Sequence, residues 1–505
     1  MRAVSGVFAA CLMFAAQAWA VEARVAGREL SLNGHVEGRE VFEANRATPH
    51  DRTFEELFLH LRLPWNDRFT FQSAIVGRNG GPTTAADGGG TYTFDDVFQS
   101  LSPSVEFEEA FVDANFADVD LRIGKQKFAW GKLDRVQPTD LLNTERYVDP
   151  LMFDEDQNKI GVPAVQASYY LPARTWVPEE ARATVVWIPY YVPFRFPRFG
   201  ERWFPPAAVP PDIFVVPPGL FEFPPGTPNP RLEVPIGFRT RNAPAPSFRM
   251  EHAGYAARFS AFTAGLDYAL SYYHGFDMQP AFQLTAEVLA GPEPGGPVGR
   301  SLSAQTELNP VFRQIDAWGA DAAYSWGSFT FRGECAYVRG RPFARDLRML
   351  ISDPRELAPQ IRDAIAALAA GATRAPVELP PGFAQRDAVE WGAGVDYTVG
   401  GYLFLLQMNQ TDVLRNQVDL LIRDVEARIM ANVRKSFWHD DIEVQLLGTY
   451  GISSDYTSLL PRLTYRVWKG LELRLGYLFI AGRESSPVGQ YKRNDQGFVR
   501  LRYLF

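Results

Sequence analysis

The chain has 505 residues, with 51 Lys and Arg against 59 Asp and Glu, a formal charge of −8 and 13% aromatic residues. That balance, with no segregated basic patch, excludes nucleic acid as a natural partner. Two cysteines, Cys11 and Cys335, exclude a disulfide framework and a zinc site built of cysteines.

Residues 1–20 carry a basic Arg2, an apolar run and an Ala-Trp-Ala ending, the layout of a secretory signal peptide cleaved after Ala20. After it, no stretch reaches the ~20 apolar residues of a membrane helix. What recurs is a segment of about ten residues alternating with period two. In residues 471–479 the odd positions from Leu471 to Phe479 are apolar and the even ones are Glu472, Arg474, Gly476 and Leu478. Residues 425–434 set Val425, Ala427, Ile429, Ala431 and Val433 opposite Glu426, Arg428, Asn432 and Arg434. One face suits hydrocarbon and the other water.

In chain order, strands are expected at 29–45, 54–63, 68–78, 105–117, 119–130, 162–171, 181–192, 248–262, 266–276, 312–326, 329–339, 388–398, 402–413, 424–436, 442–450, 459–468, 471–481 and 496–505. Links after even strands are tight, apart from 172–180, whereas most links after odd strands are long. Aromatics gather near strand ends, as at Trp318, Tyr324, Trp326, Tyr397, Tyr402, Tyr477 and Tyr503. Short turns on one side, long loops on the other and aromatic girdles define an all-β, transmembrane antiparallel β-barrel. The count is eighteen strands, with sixteen the competing number. Closure in hydrocarbon is compulsory, because an open sheet edge would leave backbone groups unpaired. This places the protein in the outer membrane of a Gram-negative bacterium, among lipid and lipopolysaccharide.

The chain stops at FVRLRYLF, with Val499, Leu501, Tyr503 and Phe505 on one face. A terminal Phe preceded by alternate hydrophobic residues resembles the signal read by the barrel assembly machinery, which makes Tyr503 and Phe505 candidate assembly residues. A second resemblance lies in LRIGKQKFAWG at 121–131, DLLN at 140–143, KIGVP at 159–163 and WIPYYVPFR at 187–195. These segments resemble a large family of proteobacterial outer-membrane barrels of unassigned function, which carry a GRQ-type strand end, a Trp-Gly, an Asp-x-x-Asn-Pro loop and a Trp-x-Pro strand end. Lys125 stands where Arg is usual, and Thr144 replaces the Pro. The resemblance implies a barrel, and more loosely the movement of hydrophobic or lipid-like compounds.

The polar faces yield a pore-lining set of Arg62, Arg122, Arg428, Arg434, Arg462, Arg466, Arg474, Arg500 and Arg502 with Glu109 and Asp113. Arginines dominate the last strands, and closure sets these beside the first. Such a wall attracts anionic solutes, or braces the barrel by pairing with Glu426, Glu443 and Glu472. The 131–161 loop, with Asp134, Asp140, Asp149 and Asp154, is expected to fold inward as an acidic constriction facing that wall. Calcium at Asp154, Glu155 and Asp156 is the less economical reading, because consecutive acids commonly face solvent. The 193–247 loop, rich in Phe, Trp and Pro, is read either as a lid, a hydrophobic capture surface or a partner contact, or as a loop that packs on its neighbours over the barrel mouth. In the 340–387 loop, residues 353–371 fit a helix ended by Gly371, either a plug or an ordered external segment.

There is no Ser-His-acid arrangement, no His pair at helical spacing, no Gly-rich phosphate loop and no CxxCH. No enzyme, cofactor or metal is therefore expected. The leading functional reading is a channel for passive passage of small anionic or hydrophobic solutes, including lipid-like cargo. The alternative is a structural sheath that docks another protein, such as an electron-transfer cytochrome.

Overall fold

A computed structural model describes residues 21–25, 27–43, 52–80, 97–99, 104–151, 158–172, 178, 180–216, 232–241, 246, 248–291, 301–347 and 354–505. The expected signal peptide and Asp154, Glu155 and Asp156 lie outside the described residues. Eighteen antiparallel strands form the barrel: β1 (Arg28–Glu43), β2 (Arg52–Pro64), β3 (Phe69–Gly80), β4 (Ser104–Phe116), β5 (Val119–Gln126), β6 (Val162–Leu171), β7 (Glu180–Ile188), β8 (Gly254–Thr263), β9 (Leu266–Phe276), β10 (Gln314–Trp326), β11 (Phe329–Ala344), β12 (Phe383–Val399), β13 (Tyr402–Val413), β14 (Val425–Phe437), β15 (Ile442–Gly451), β16 (Tyr456–Trp468), β17 (Leu471–Gly482) and β18 (Gln496–Leu504). Each pairs with its sequence neighbours, and β1 pairs with β18 from His35↔Leu504 to Glu43↔Gln496. The seam ends where Gly34 and Phe505 exchange backbone hydrogen bonds of 2.9 and 3.0 Å.

The outer surface shows why this sheet must sit in a bilayer. Leu57, Val112, Ile123, Val185, Leu270, Leu406, Ile429, Val444, Leu463 and Phe479 are all exposed on it. Near the tight turns it carries Trp65, Phe116, Tyr324, Trp326, Tyr402, Trp438 and Trp468, likewise exposed. An apolar band edged by aromatics is stable only against lipid. The protein is therefore a closed transmembrane barrel of eighteen strands.

Several strand ends differ from the sequence expectation for a physical reason. Alternation suggested a strand to residue 130 and another to 192, yet β5 ends at Gln126 and β7 at Ile188. The apolar residues beyond, Phe128, Trp130 and Val192, are buried inside the barrel rather than turned to lipid. β11 and β12 instead continue past the expected 329–339 and 388–398, extending their hairpin outward. A short strand at Val21–Val25 pairs with Arg28–Leu32 of β1, and it was not anticipated.

The long loops build a cap of their own. Strands at Ile213–Val216, Leu232–Thr240, Leu302–Val311, Ala281–Ala290 and Arg374–Val377 form a five-stranded sheet in that spatial order. The contact between 232–240 and 302–311 is parallel. Helix α1 (Pro354–Ala369) lays Leu357, Ile361, Ile365 and Leu368 against this sheet. Gly371 ends it at φ +103°, a conformation that favours glycine. The helix is thus packed as an ordered part of this sheet assembly. Phe98, Phe196, Phe199, Phe204, Phe238 and Phe282 make a second apolar cluster under the same sheet face, so the described aromatics of the loop after β7 pack on their neighbours.

Removing Phe505 deletes the two seam hydrogen bonds, each worth about 1 kcal/mol, and its packing beside Leu471, Leu501 and Tyr503. The expected outcome is a smaller heat-modifiable folded fraction on electrophoresis, with the largest deficit at elevated temperature.

Candidate functional site

The chain between β5 and β6 turns into the barrel and crosses it. Phe128, Trp130, Leu141, Leu142 and Ile160 pack on the inner faces of β6 to β11, among Val186, Ala256, Ile315, Ala317, Ala336 and Val338. Small wall residues leave room for large loop side chains. The neck of the loop is closed by Asn143, whose Oδ1 accepts from the Phe128 N–H at 2.6 Å and whose Nδ2 donates to the Ile160 carbonyl at 2.8 Å. Asp140 pairs with Lys159 across the same neck.

Three further contacts fix the loop to the far wall. Glu334 of β11 accepts from the backbone N–H groups of Lys132, Leu133 and Thr139, and from the Thr139 hydroxyl at 2.8 Å. Gln407 of β13 accepts from the Asp134 N–H and donates to its carbonyl, both at 2.9 Å. Leu133, 2% exposed, fills a notch over Gly392 and Gly394 of β12. A side chain on Gly392 would begin 2.5 Å from Leu133.

On the β1–β4 side the anchor is a buried charge network. Arg78 of β3 reaches Glu56 at 2.9 Å, Glu106 at 2.6 Å and Glu108 at 2.9 Å. Arg146 of the loop bonds Glu106 at 2.6 Å and Glu108 at 3.1 Å. Arg195 meets Glu106 at 2.8 Å, Lys127 meets Glu108 at 2.7 Å, and His35 lies 3.1 Å from Glu56. Sequence reading missed this cluster because it assumed strict alternation on β4. A bulge between Glu109 and Phe107, opposite Ala74 and Ile75, resets the parity. Glu106 and Glu108 thereby join Glu109 and Asp113 on the inner face. The signal available was four acids at 106, 108, 109 and 113, which no unbroken strand can place together.

The sequence-derived pore set divides into braces and lumen groups. Arg122 clamps Asp113 with contacts of 2.6 and 3.1 Å, while Glu109 accepts from the Lys127 N–H at 2.9 Å. Arg500 and Arg474 share Glu472, each at 3.2 Å, and Arg502 bonds Glu37 at 2.6 Å. Arg466 lies 3.7 Å from Glu443. Arg62 and Arg434 are exposed, and Arg428 and Arg462 are half-buried. Arg39, absent from the expected set, reaches the Leu151 carbonyl and bonds Glu37, which ties the loop to β1.

The loop acids behave differently from the expectation of an acidic rim facing the arginines. Asp134 pairs with Arg332 at 3.1 Å on β11, away from the last strands. Asp140 is buried against Lys159. Asp149 is buried and accepts from the Leu151 N–H at 2.9 Å and from Gln496 at 3.0 Å. These carboxylates satisfy the loop's own anchoring, so they do not form a row opposite Arg428 and Arg434.

A cleft of about 240 Å³ lies between the loop and β11–β14. Arg135, Gln137, Glu145 and Lys159 line it from the loop, and Arg341, Glu390, Asn409 and Arg428 from the wall. Arg341 is paired with Glu390, as Lys159 is with Asp140. With Arg135, exposed and in the left-handed region at φ +58°, and Arg428, the lining carries four cationic side chains against the three acids Asp140, Glu145 and Glu390. Burial pushes the Glu145 carboxyl above the usual carboxylate range, partly offset by Lys159. The cleft is therefore polar and net cationic. Among the described residues no group of three or more His, Cys, Asp or Glu could hold a metal ion.

No sequence-family model matches this chain, and no curated protein sequence does either. The fold is similar to solved structures that include OmpF of Salmonella typhi in complex with daunomycin, at 10% identity over 96% of this chain and 100% of that one, with TM-score 0.39. OpdL of Pseudomonas aeruginosa aligns at 9% identity over 94% and 98%, TM-score 0.44. The outer membrane channel DcaP of Acinetobacter baumannii aligns at 10% identity over 96% and 100%, TM-score 0.40. At these scores the architecture rests on the chain's own strand pairing.

Gly392→Leu tests the anchoring. The added side chain collides with Leu133, an overpacking that costs about 1–3 kcal/mol, and the loop is expected to leave the notch. Trypsin cleavage at Lys132 and Arg135, slow in the parent protein, should accelerate severalfold in intact proteoliposomes. An unchanged cleavage rate would mean that the notch does not hold the loop.

Proposed function

We propose that the protein is a passive channel of the Gram-negative outer membrane that favours small anionic solutes. The carrying observation is the formal charge of the cleft lining, where Arg135, Lys159, Arg341 and Arg428 stand against Asp140, Glu145 and Glu390. Arg434 of β14 is exposed as well. Guanidinium groups keep their charge across the whole relevant pH range, so such a passage concentrates anions. The cleft offers no continuous apolar track, which supports the anionic part of the expectation over the hydrophobic one. A docking sheath needs an empty lumen, and the inward loop occupies it.

On this reading the loop is the constriction and the cleft beside it the narrowest polar passage. Tyr503 and Phe505 would serve assembly as well as closure, being the last outward side chains of β18 and available to the barrel assembly machinery. Lipid and lipopolysaccharide would contact the apolar band and its rims.

Planar-bilayer recording of the purified barrel tests the proposal. Discrete conductance steps are expected, with a reversal potential in a KCl gradient displaced towards that of chloride. Arg428→Glu with Arg434→Glu should move the reversal potential most of the way towards that of potassium. A barrel that is folded, inserted and silent would contradict the channel reading.

A pH dependence follows from Glu145. Its carboxyl takes up a proton at higher pH than an ordinary glutamate, so on acidification the cleft loses this negative charge before carboxylates at their ordinary values titrate. Anion preference should rise as pH falls into that window. Glu145→Gln should show the raised preference already at neutral pH and remove the early part of the rise.

A further inference from the structure

On the outer face, β9, β10 and β11 set Tyr272, Trp318 and Tyr337 side by side in register. The ring centroids lie 5.5 Å apart from Tyr272 to Trp318 and 5.8 Å from Trp318 to Tyr337, the second pair stacked at 29°. Trp318 and Tyr337 are exposed. The next outward row on the same strands is His274, Asp316 and Arg339. Both rows lie beside the long connections 277–313 and 345–382, away from the tight turns at 264–265 and 327–328. Long loops belong to the external side of such barrels and aromatic girdles to headgroup height, so the polar row meets the headgroups of the external leaflet.

A girdle accounts for the rings but not for the way Arg339 is held. Asp316 accepts from the Tyr272 hydroxyl at 2.9 Å and from Arg339 Nη2 at 2.5 Å, and it lies 2.9 Å from His274 Nδ1. The Arg339 guanidinium carbon is 5.8 Å from the centre of the Trp318 ring. The guanidinium is thereby fixed on two sides while its side chain stays 61% exposed. The nearby Asp387 is engaged as well, accepting from the Tyr337 hydroxyl at 2.8 Å and the Gly340 N–H at 3.0 Å. A guanidinium already held in place loses little freedom on gripping a phosphate in its planar fork. The exposed ring pair beside it offers an electron-rich flat face, which suits the C–H face of a sugar ring. On β1 to β3 the same rim presents Glu40, Glu55 and Asn79 instead, so the arrangement is particular to β9–β11.

We propose that this patch docks the phosphorylated sugar headgroup of an external-leaflet glycolipid, with Arg339 on the phosphate and the Trp318 and Tyr337 rings under the sugar. It rests on the outer-membrane placement in the reading above and does not depend on the barrel conducting. Leu270 and Phe331, exposed on the same outer face nearer the tight turns, continue the patch into the apolar band. Acyl chains attached to the sugar would lie there, which favours a glycolipid over a soluble sugar phosphate.

Native mass spectrometry of the delipidated full chain in detergent tests the proposal, with lipid A carrying both phosphates, phosphatase-treated lipid A and phosphatidylglycerol as probes. The parent is expected to retain lipid A under activation that strips phosphatidylglycerol. Retention should fall at least severalfold after phosphatase treatment, in Arg339→Gln and in Trp318→Leu, with the heat-modifiable fold intact in both variants. Arg483→Gln, which removes an exposed arginine paired with Asp455 outside the patch, should retain lipid A as the parent does. Equal retention by the parent and Arg339→Gln would overturn the proposal, as would equal losses in Arg339→Gln and Arg483→Gln. Phosphatidylglycerol held as firmly as lipid A would also overturn it, because that lipid has a phosphate and no sugar ring. A parent that retains lipid A and stays silent in planar bilayers would contradict the channel reading and leave this site standing.

Discussion

Everything inside this barrel depends on how Glu106 and Glu108 are held. Two carboxylates two residues apart on one face of a bulged strand would repel one another in a dry interior. Here they are embraced by Arg78 from the wall, Arg146 from the loop, Arg195 from the next loop and Lys127 from the loop's first residues. Removing one partner of such a buried group typically costs about 3–5 kcal/mol, because the remaining charges stay desolvated. The network therefore stabilises one arrangement strongly: Arg146 of the loop after β5 and Arg195 of the loop after β7 held at the same carboxylates, with Val148 and Leu151 packed beside Trp203. Specific placement, more than added stability, is what a buried charge cluster of this size supplies.

The apolar contacts then divide the lumen. One face of the loop packs on β6 to β11 through Phe128, Trp130 and Ile160, and its far end meets Trp203, Tyr491 and the inner faces of β16 to β18 through Val148 and Leu151. Beside these two packed regions the described residues leave the polar cleft against β11 to β14. The arginines of the late strands fall partly on that cleft and partly below it, where Glu37 and Glu472 pair with Arg474, Arg500 and Arg502. Bracing and solute attraction thus coexist, assigned to different arginines by their depth in the barrel.

The strand count, the closure and the alternation of lumen and lipid faces were legible in the sequence because each rests on a period of two, and that period survives in nearly every strand. The 131–161 segment stood out in the sequence by its length and its acids. The role of those acids was not legible, since Asp140 and Asp149 find partners, Lys159 and Gln496, that lie nineteen and several hundred residues away. The bulge on β4 hid the strongest cluster, because shifting one residue exchanges the two faces of a strand. The cap sheet escaped notice for a related reason: its strands lie within loops already explained as connections, and one junction is parallel. Alternation in Ala281–Ala290 and Leu302–Val311 was present but not weighed.

The most direct measurement is the single-channel conductance of a variant in which residues 132–158 are replaced by a short Gly-Ser linker, recorded beside the parent protein. If the buried charge network keeps this segment in the lumen and the segment limits flow, the variant opens in discrete steps severalfold larger than the parent's, with weaker ion preference. Equal steps in the two proteins, or a parent that conducts as freely as an empty barrel of eighteen strands, would contradict the account.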